Sequence, residues 1–190
     1  FIKDAARAAI DQNKTHYPPV PGYPELRQAI ADKFKRDNGL DYSPEQIIVS
    51  GGAKHSIANA MLCLVNKGDE VIVPAPYWVS YNEIIKLAEG VPLVVEASFE
   101  NDFKITPEQL EAAITPKTKL IMFNSPNNPS GTIYTEEEYR ALAKVLEKHP
   151  QIYILSDEIY EHINYGIKSF SFAAIENMFD RTIPVNGLAK

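Results

Sequence analysis

The chain has 190 residues, 45% hydrophobic and 23% charged, ordinary values for a globular protein long enough to bury a core. Nineteen Lys and Arg against 25 Asp and Glu leave a net charge of −6 with no block of like charge, so the basic footprint of a nucleic-acid binder is missing. Cys63 is the only cysteine, which excludes an internal disulfide and a multi-cysteine metal site, and no apolar run reaches the roughly 20 residues of a membrane-spanning helix.

Phe1 to Arg7 reads as an amphipathic helix, not a secretory signal, and a cytoplasmic setting is expected. The proline-rich stretch from His16 to Pro24 links it to a second helix, opened by Pro24 and marked by Leu26, Ile30 and Phe34 before Gly39 ends it. Gln46–Val49 is a short apolar run of strand type. Ile57, Ala60, Met61 and Leu64 predict the next helix, closing near Gly68. A strand over Glu70–Val73, a helix carrying Tyr81, Ile84, Ile85 and Ala88, and a strand over Val91–Val95 follow. Thr106-Pro107-Glu108 starts another helix, and Leu120–Phe123 is strand-like. Thr135 with Glu138 spells a capping box for a helix bearing Tyr139, Leu142 and Leu146. Ile152–Leu155 and Thr182–Val185 complete the strands. Continuous apolar strands between amphipathic helices predict an α/β fold: a three-layer sandwich with a mainly parallel sheet covered on both faces.

Such sheets bind ligands beyond the carboxyl ends of their strands, so the segments that follow the strands matter most. Ser50-Gly51-Gly52-Ala53-Lys54 stands directly before a helix, where glycines either allow a tight turn or open N–H groups to an anion. Trp78, the only tryptophan, follows Pro74-Ala75-Pro76-Tyr77; it either packs in the core or stacks on a flat ring. Asn124-Ser125-Pro126-Asn127-Asn128-Pro129-Ser130-Gly131 is a stiff turn whose amides can also face a ligand oxygen. Ser156-Asp157-Glu158-Ile159-Tyr160-Glu161 puts Asp157 and Tyr160 three apart after a strand, and Asn186-Gly187-Leu188-Ala189-Lys190 ends the chain. There is no G-x-S-x-G elbow, Walker loop or Rossmann glycine fingerprint, and His16, His55, His149 and His162 lack metal-ligand spacing.

In order and spacing these segments, together with Tyr17 to Arg27, resemble the large domain of the fold-type I pyridoxal-phosphate (PLP) aminotransferases, in the bacterial branch of the class I aspartate aminotransferases. The resemblance covers nearly the whole chain. It implies that Lys190 binds PLP as a Schiff base and moves the substrate proton, and that Asp157 pairs with the pyridine nitrogen. It implies that Tyr160 and Asn128 hydrogen-bond the phenolic oxygen, that Trp78 stacks on the ring, and that the backbone N–H groups of Ala53 and Lys54 hold the phosphate. Tyr17 would reach the phosphate of a neighbouring subunit, so a homodimer with shared sites is expected, with no nucleic-acid or membrane partner.

Relative to that family, residues 1–190 read as a partial PLP-binding large domain, without the N-terminal arm, the C-terminal small domain, or the two later arginines that grip phosphate and substrate carboxylate. The expected function is transfer of an amino group from an L-amino acid, aspartate by preference, to a 2-oxo acid such as 2-oxoglutarate, with the isolated chain poorly active. Two alternatives stand beside it: a PLP lyase of the same fold, and a non-catalytic α/β interaction module.

Overall fold

A computed structural model describes residues 1–188. Its centre is a sheet of five parallel strands in the order β2-β1-β3-β4-β5. The strands are β1 (Glu70–Ala75), β2 (Val91–Glu96), β3 (Thr118–Asn124), β4 (Tyr153–Asp157) and β5 (Thr182–Val185). Successive side chains of a strand point to opposite faces, and here both faces are apolar. Val71, Val73, Leu120, Met122 and Leu155 face one way, toward Ile57 and Met61 of α3 (Ala53–Leu64) and Ile84 and Ile85 of α4 (Ser80–Leu87). Ile72, Ile121, Phe123 and Ile154 face the other way. They meet Leu110 of α5 (Pro107–Ala113) and Tyr139, Leu142 and Leu146 of α6 (Glu136–Leu146). Each buried aliphatic side chain of this kind contributes about 1.5–3 kcal/mol.

Local signals set the helix ends as the residue types predict. Thr106 and Thr135 each accept the third N–H of their helix, and Gln109 and Glu138 reach back in return. The helix α2 (Pro24–Lys33) starts on proline and widens into a π turn over Phe34–Asn38, which Gly39 ends at φ 71°. Asn38 and Lys33 both bond to Glu161, tying this N-terminal part to the segment after β4. The first helix, α1 (Ile2–Asp11), buries none of its residues, and Tyr17 and Val20 beyond it are fully exposed.

The one expected strand that does not join the sheet is Gln46–Val49. Pro44–Gln46 is a turn of 3-10 helix, and residues 47–50 run extended outside any ladder. The Val49 N–H bonds to the Pro21 carbonyl, so this backbone is satisfied by the proline-rich segment, not by a strand. Among the described residues no helix is long and apolar enough to cross a membrane.

Candidate active site

From β1 the chain crosses to β2 on one side, then returns past β1 to form β3 on the other. This reversal opens a crevice between the carboxyl ends of β1 and β3, where open α/β sheets take their ligands. Pro76, Tyr77 and Tyr81 line it from one side, and Asn124, Asn127 and Thr132 from the other.

Asp157, the last residue of β4, is the buried charged group beside the crevice, bonded to Tyr81 and Asn124 of its lining. It pairs in register with Asn124 of β3 and Val185 of β5 and is only 3% exposed. The pleat aims its carboxylate at the α3/α4 face. There Tyr81, in the first turn of α4, donates from its phenol to Oδ2 at 2.5 Å, and the Ile159 N–H donates to Oδ1 at 3.2 Å. Burial pushes the Asp157 carboxyl above its ordinary range, while these two hydrogen bonds pull it back. Burial, with the neighbouring carboxylate, drives the Tyr81 phenol far upward, so Tyr81 stays a donor.

Tyr81 also meets the edge of the Trp78 indole, with ring centroids 5.5 Å apart. Trp78 is half-buried, and the ammonium of Lys54 lies 4.8 Å from its ring centre. Lys54 and Ala53 open α3, behind an N-cap Gly52 at φ 98° that no side chain caps. The Gly52 N–H bonds to Ser50 and the His55 and Ser56 N–H groups to Gly52. The N–H groups of Ala53 and Lys54 are left without a partner among the described residues, at the positive end of a helix of 12 residues.

On the β3 side, Asn124 donates from its amide to the Asp157 carbonyl at 3.0 Å and accepts the Asn128 N–H at 2.8 Å, which fixes Asn128 against the end of β4. Asn127 ties this turn to the Trp78 segment by donating to the Pro76 carbonyl at 3.2 Å. Tyr160 is half-buried in the turn after β4 and acts electrostatically on Tyr81.

The structure therefore brings Lys54, Trp78, Asp157, Asn128 and Tyr160 to one edge of the sheet, with Ala53 beside Lys54. Tyr17 stays apart, on the exposed loop before α2, and Lys190 lies outside the described residues. Sequence reasoning missed two residues that make the site work as a unit. Tyr81 is legible only as an apolar helix position, and Asn124 only as part of a turn; the closeness of Tyr81 to Trp78 in the chain is the available signal. Chemically the edge offers an anion seat of free N–H groups, an aromatic face and a buried carboxylate suited to a protonated ring nitrogen.

Residues 1–190 match the model of the family described as aminotransferase class I and II. An aspartate/prephenate aminotransferase of Cereibacter sphaeroides is 52% identical over the whole chain, which covers 48% of that relative. The aspartate aminotransferase of Geobacillus stearothermophilus is 50% identical, again with 48% of its length covered. Among solved structures, the aspartate aminotransferase of Rhizobium meliloti superposes on the whole chain with a TM-score of 0.98 at 44% identity, over 48% of its own length. That of Thermus thermophilus with maleate gives 0.95 at 46% identity, over 49% of its length. The chain thus spans about half the length of the curated relatives it matches. With a family match from end to end and a superposition this close, the chain belongs to the aminotransferase class I and II family.

Proposed function

We propose that the protein carrying this chain is a PLP-dependent aminotransferase, moving the amino group of an L-amino acid, aspartate by preference, to a 2-oxo acid such as 2-oxoglutarate. Residues 1–190 form part of its cofactor-binding large domain. The observation that carries the reading is the buried Asp157 carboxylate, held by Tyr81 at 2.5 Å beside the Trp78 indole. A buried carboxylate with this little compensation is costly unless a cation meets it, and a protonated pyridine nitrogen is such a cation.

The donor set fits the cofactor. The free N–H groups of Ala53 and Lys54 suit its phosphate dianion. Trp78 offers a flat face, and the Asn128 amide, unpartnered among the described residues, suits the phenolic oxygen together with Tyr160. When bound, the cofactor supplies an aldehyde carbon that carries the amino group and a ring that withdraws electrons. Asp157 keeps the proton on the ring nitrogen. Tyr81 and the Ile159 N–H favour the ionised form of Asp157 against its burial and aim it. Lys190, matched to the family's lysine, would be the amine that holds and moves the substrate α-proton.

Lys54, exposed beside the indole, adds a positive charge suited to the second carboxylate of an acidic substrate. That fits relatives named for aspartate and a solved relative holding maleate, a dicarboxylate. The exposed Tyr17 suits a homodimer in which it reaches the partner's phosphate seat. The lone, unpaired Cys63 accords with a cytoplasmic enzyme.

The test is amino transfer from aspartate to 2-oxoglutarate by the intact protein, followed as glutamate formation. Asp157→Asn is expected to lower kcat by at least a hundredfold. Release of ammonia without a 2-oxo acid requirement would assign the protein to the lyases instead.

A further inference from the structure

We propose that His55 is a positioning residue for the anion seat at the start of α3, an inference that rests on the function proposed above. His55 is the third residue of α3, the place where a capping box carries Glu or Gln to reach back over the helix start. Its imidazole reaches one residue further back here, to the residue before the N-cap. The Gly51 N–H donates to Nδ1 of His55 at 3.1 Å, across the turn whose next residue, Gly52, is in the left-handed region. The ring lies against Gly51 closely enough that a Cβ there would sit 3.6 Å from Nδ1.

Of the N–H groups from Gly51 to Ser56, Gly51 is taken by His55, Gly52 by Ser50, and His55 and Ser56 by Gly52. Among the described residues, only those of Ala53 and Lys54 remain open. The seat is therefore a pair of N–H groups held in place from both sides, by the Gly52 carbonyl beneath and by the imidazole over Gly51. No other side chain caps this end. Without an acceptor at position 55, the two-glycine turn loses its only side-chain tether. The open pair then has to be ordered at the expense of anion binding. His55 touches no reacting atom. It acts through the backbone of Gly51 and Gly52, and it requires a ring that is unprotonated at Nδ1.

The experiment compares two ligands that differ only in phosphate, pyridoxamine 5′-phosphate and pyridoxamine, by equilibrium dialysis against the intact protein. The parent protein is expected to prefer the phosphorylated ligand strongly. His55→Ala and His55→Phe, at an exposed site that does not carry the core, should weaken the phosphorylated ligand roughly three- to tenfold and leave pyridoxamine unchanged. His55→Gln, which restores an acceptor, should recover most of the loss. An unaltered preference in both His55→Ala and His55→Phe would overturn the inference, as would equal weakening of both ligands. A parent protein with no preference for the phosphorylated ligand would instead sink the function proposed above.

Discussion

At Asp157 two forces oppose each other. Burial favours the neutral acid, while the phenol of Tyr81 and the N–H of Ile159 favour the carboxylate. Tyr81→Phe removes one side of that balance. The carboxyl should then rise further, so the acid limb of the pH profile of amino transfer should move to higher pH, with kcat falling more than KM changes. Because the variant also strips a partner from a buried charged group, it should cost about 1–3 kcal/mol of stability, read from denaturant midpoints. A pH profile identical to that of the parent would show that Tyr81 does not support Asp157. At this scale the residue types alone leave Asp157 open between capping a turn and facing a ligand, and Asn128 between a stiff turn and a donor; only the family resemblance singles them out, and the structure brings both to the β3/β4 edge. The sequence is silent on Tyr81 and Asn124, because a tyrosine at a core-facing helix position and an asparagine in a turn each have a sufficient local reason to be there.

Helices were the most legible elements. The capping pair Thr135/Glu138 and the starts at Pro24 and Thr106-Pro107 carry their own geometry, and all appear where the residues predict. Gln46–Val49 shows the limit. An apolar run specifies burial and an extended backbone, but membership of a sheet depends on a partner strand, which lies elsewhere in sequence. Glu158 gives a second prediction for β4 and its exit. Ser156 and Ser171 both donate to its Oε1, yet burial still pushes its carboxyl up to about 7. The folded state thus holds a proton that the unfolded chain has released, and stability falls as pH rises from about 4.5 to about 7. Glu158→Gln keeps the acceptor without the charge. Its advantage over the parent should grow across that range to roughly 2–3 kcal/mol at higher pH. A difference that is constant with pH would contradict this. In the turn between α4 and β2, a Cβ on Gly90 would approach Val65 Cγ1 to 2.7 Å and Ile85 Cγ2 to 3.1 Å. Gly90→Ala should therefore lower the urea midpoint by about 1–3 kcal/mol equivalents, with an unchanged slope.

For the molecule as a whole, the doubly covered parallel sheet followed from the alternation of apolar strands and amphipathic helices, but the order of the strands did not. Periodicity records which face of an element is buried, not which neighbour buries it. The N-terminal part differs from the rest: α1 buries nothing, and Tyr17 and Val20 stand in solvent. The dimer proposed above predicts that the intact protein sediments at twice its subunit mass at micromolar concentration. Tyr17→Phe should leave that mass unchanged while weakening pyridoxamine 5′-phosphate severalfold. A monomer with full affinity for that ligand would remove the role of Tyr17.

The two adjacent acids at the exit of β4 have one more implication. Asp157 turns to Tyr81 on one face of the sheet, and Glu158, with Ser156, turns to Ser171 on the other. Their identities are fixed by parity, not by proximity: losing or gaining a single residue within β4 exchanges them, sending the longer acid toward the indole and the shorter one into the serine pair. An odd insertion within β4 would therefore forfeit this arrangement, whereas one in the loop before β4 would leave the parity of both acids unchanged.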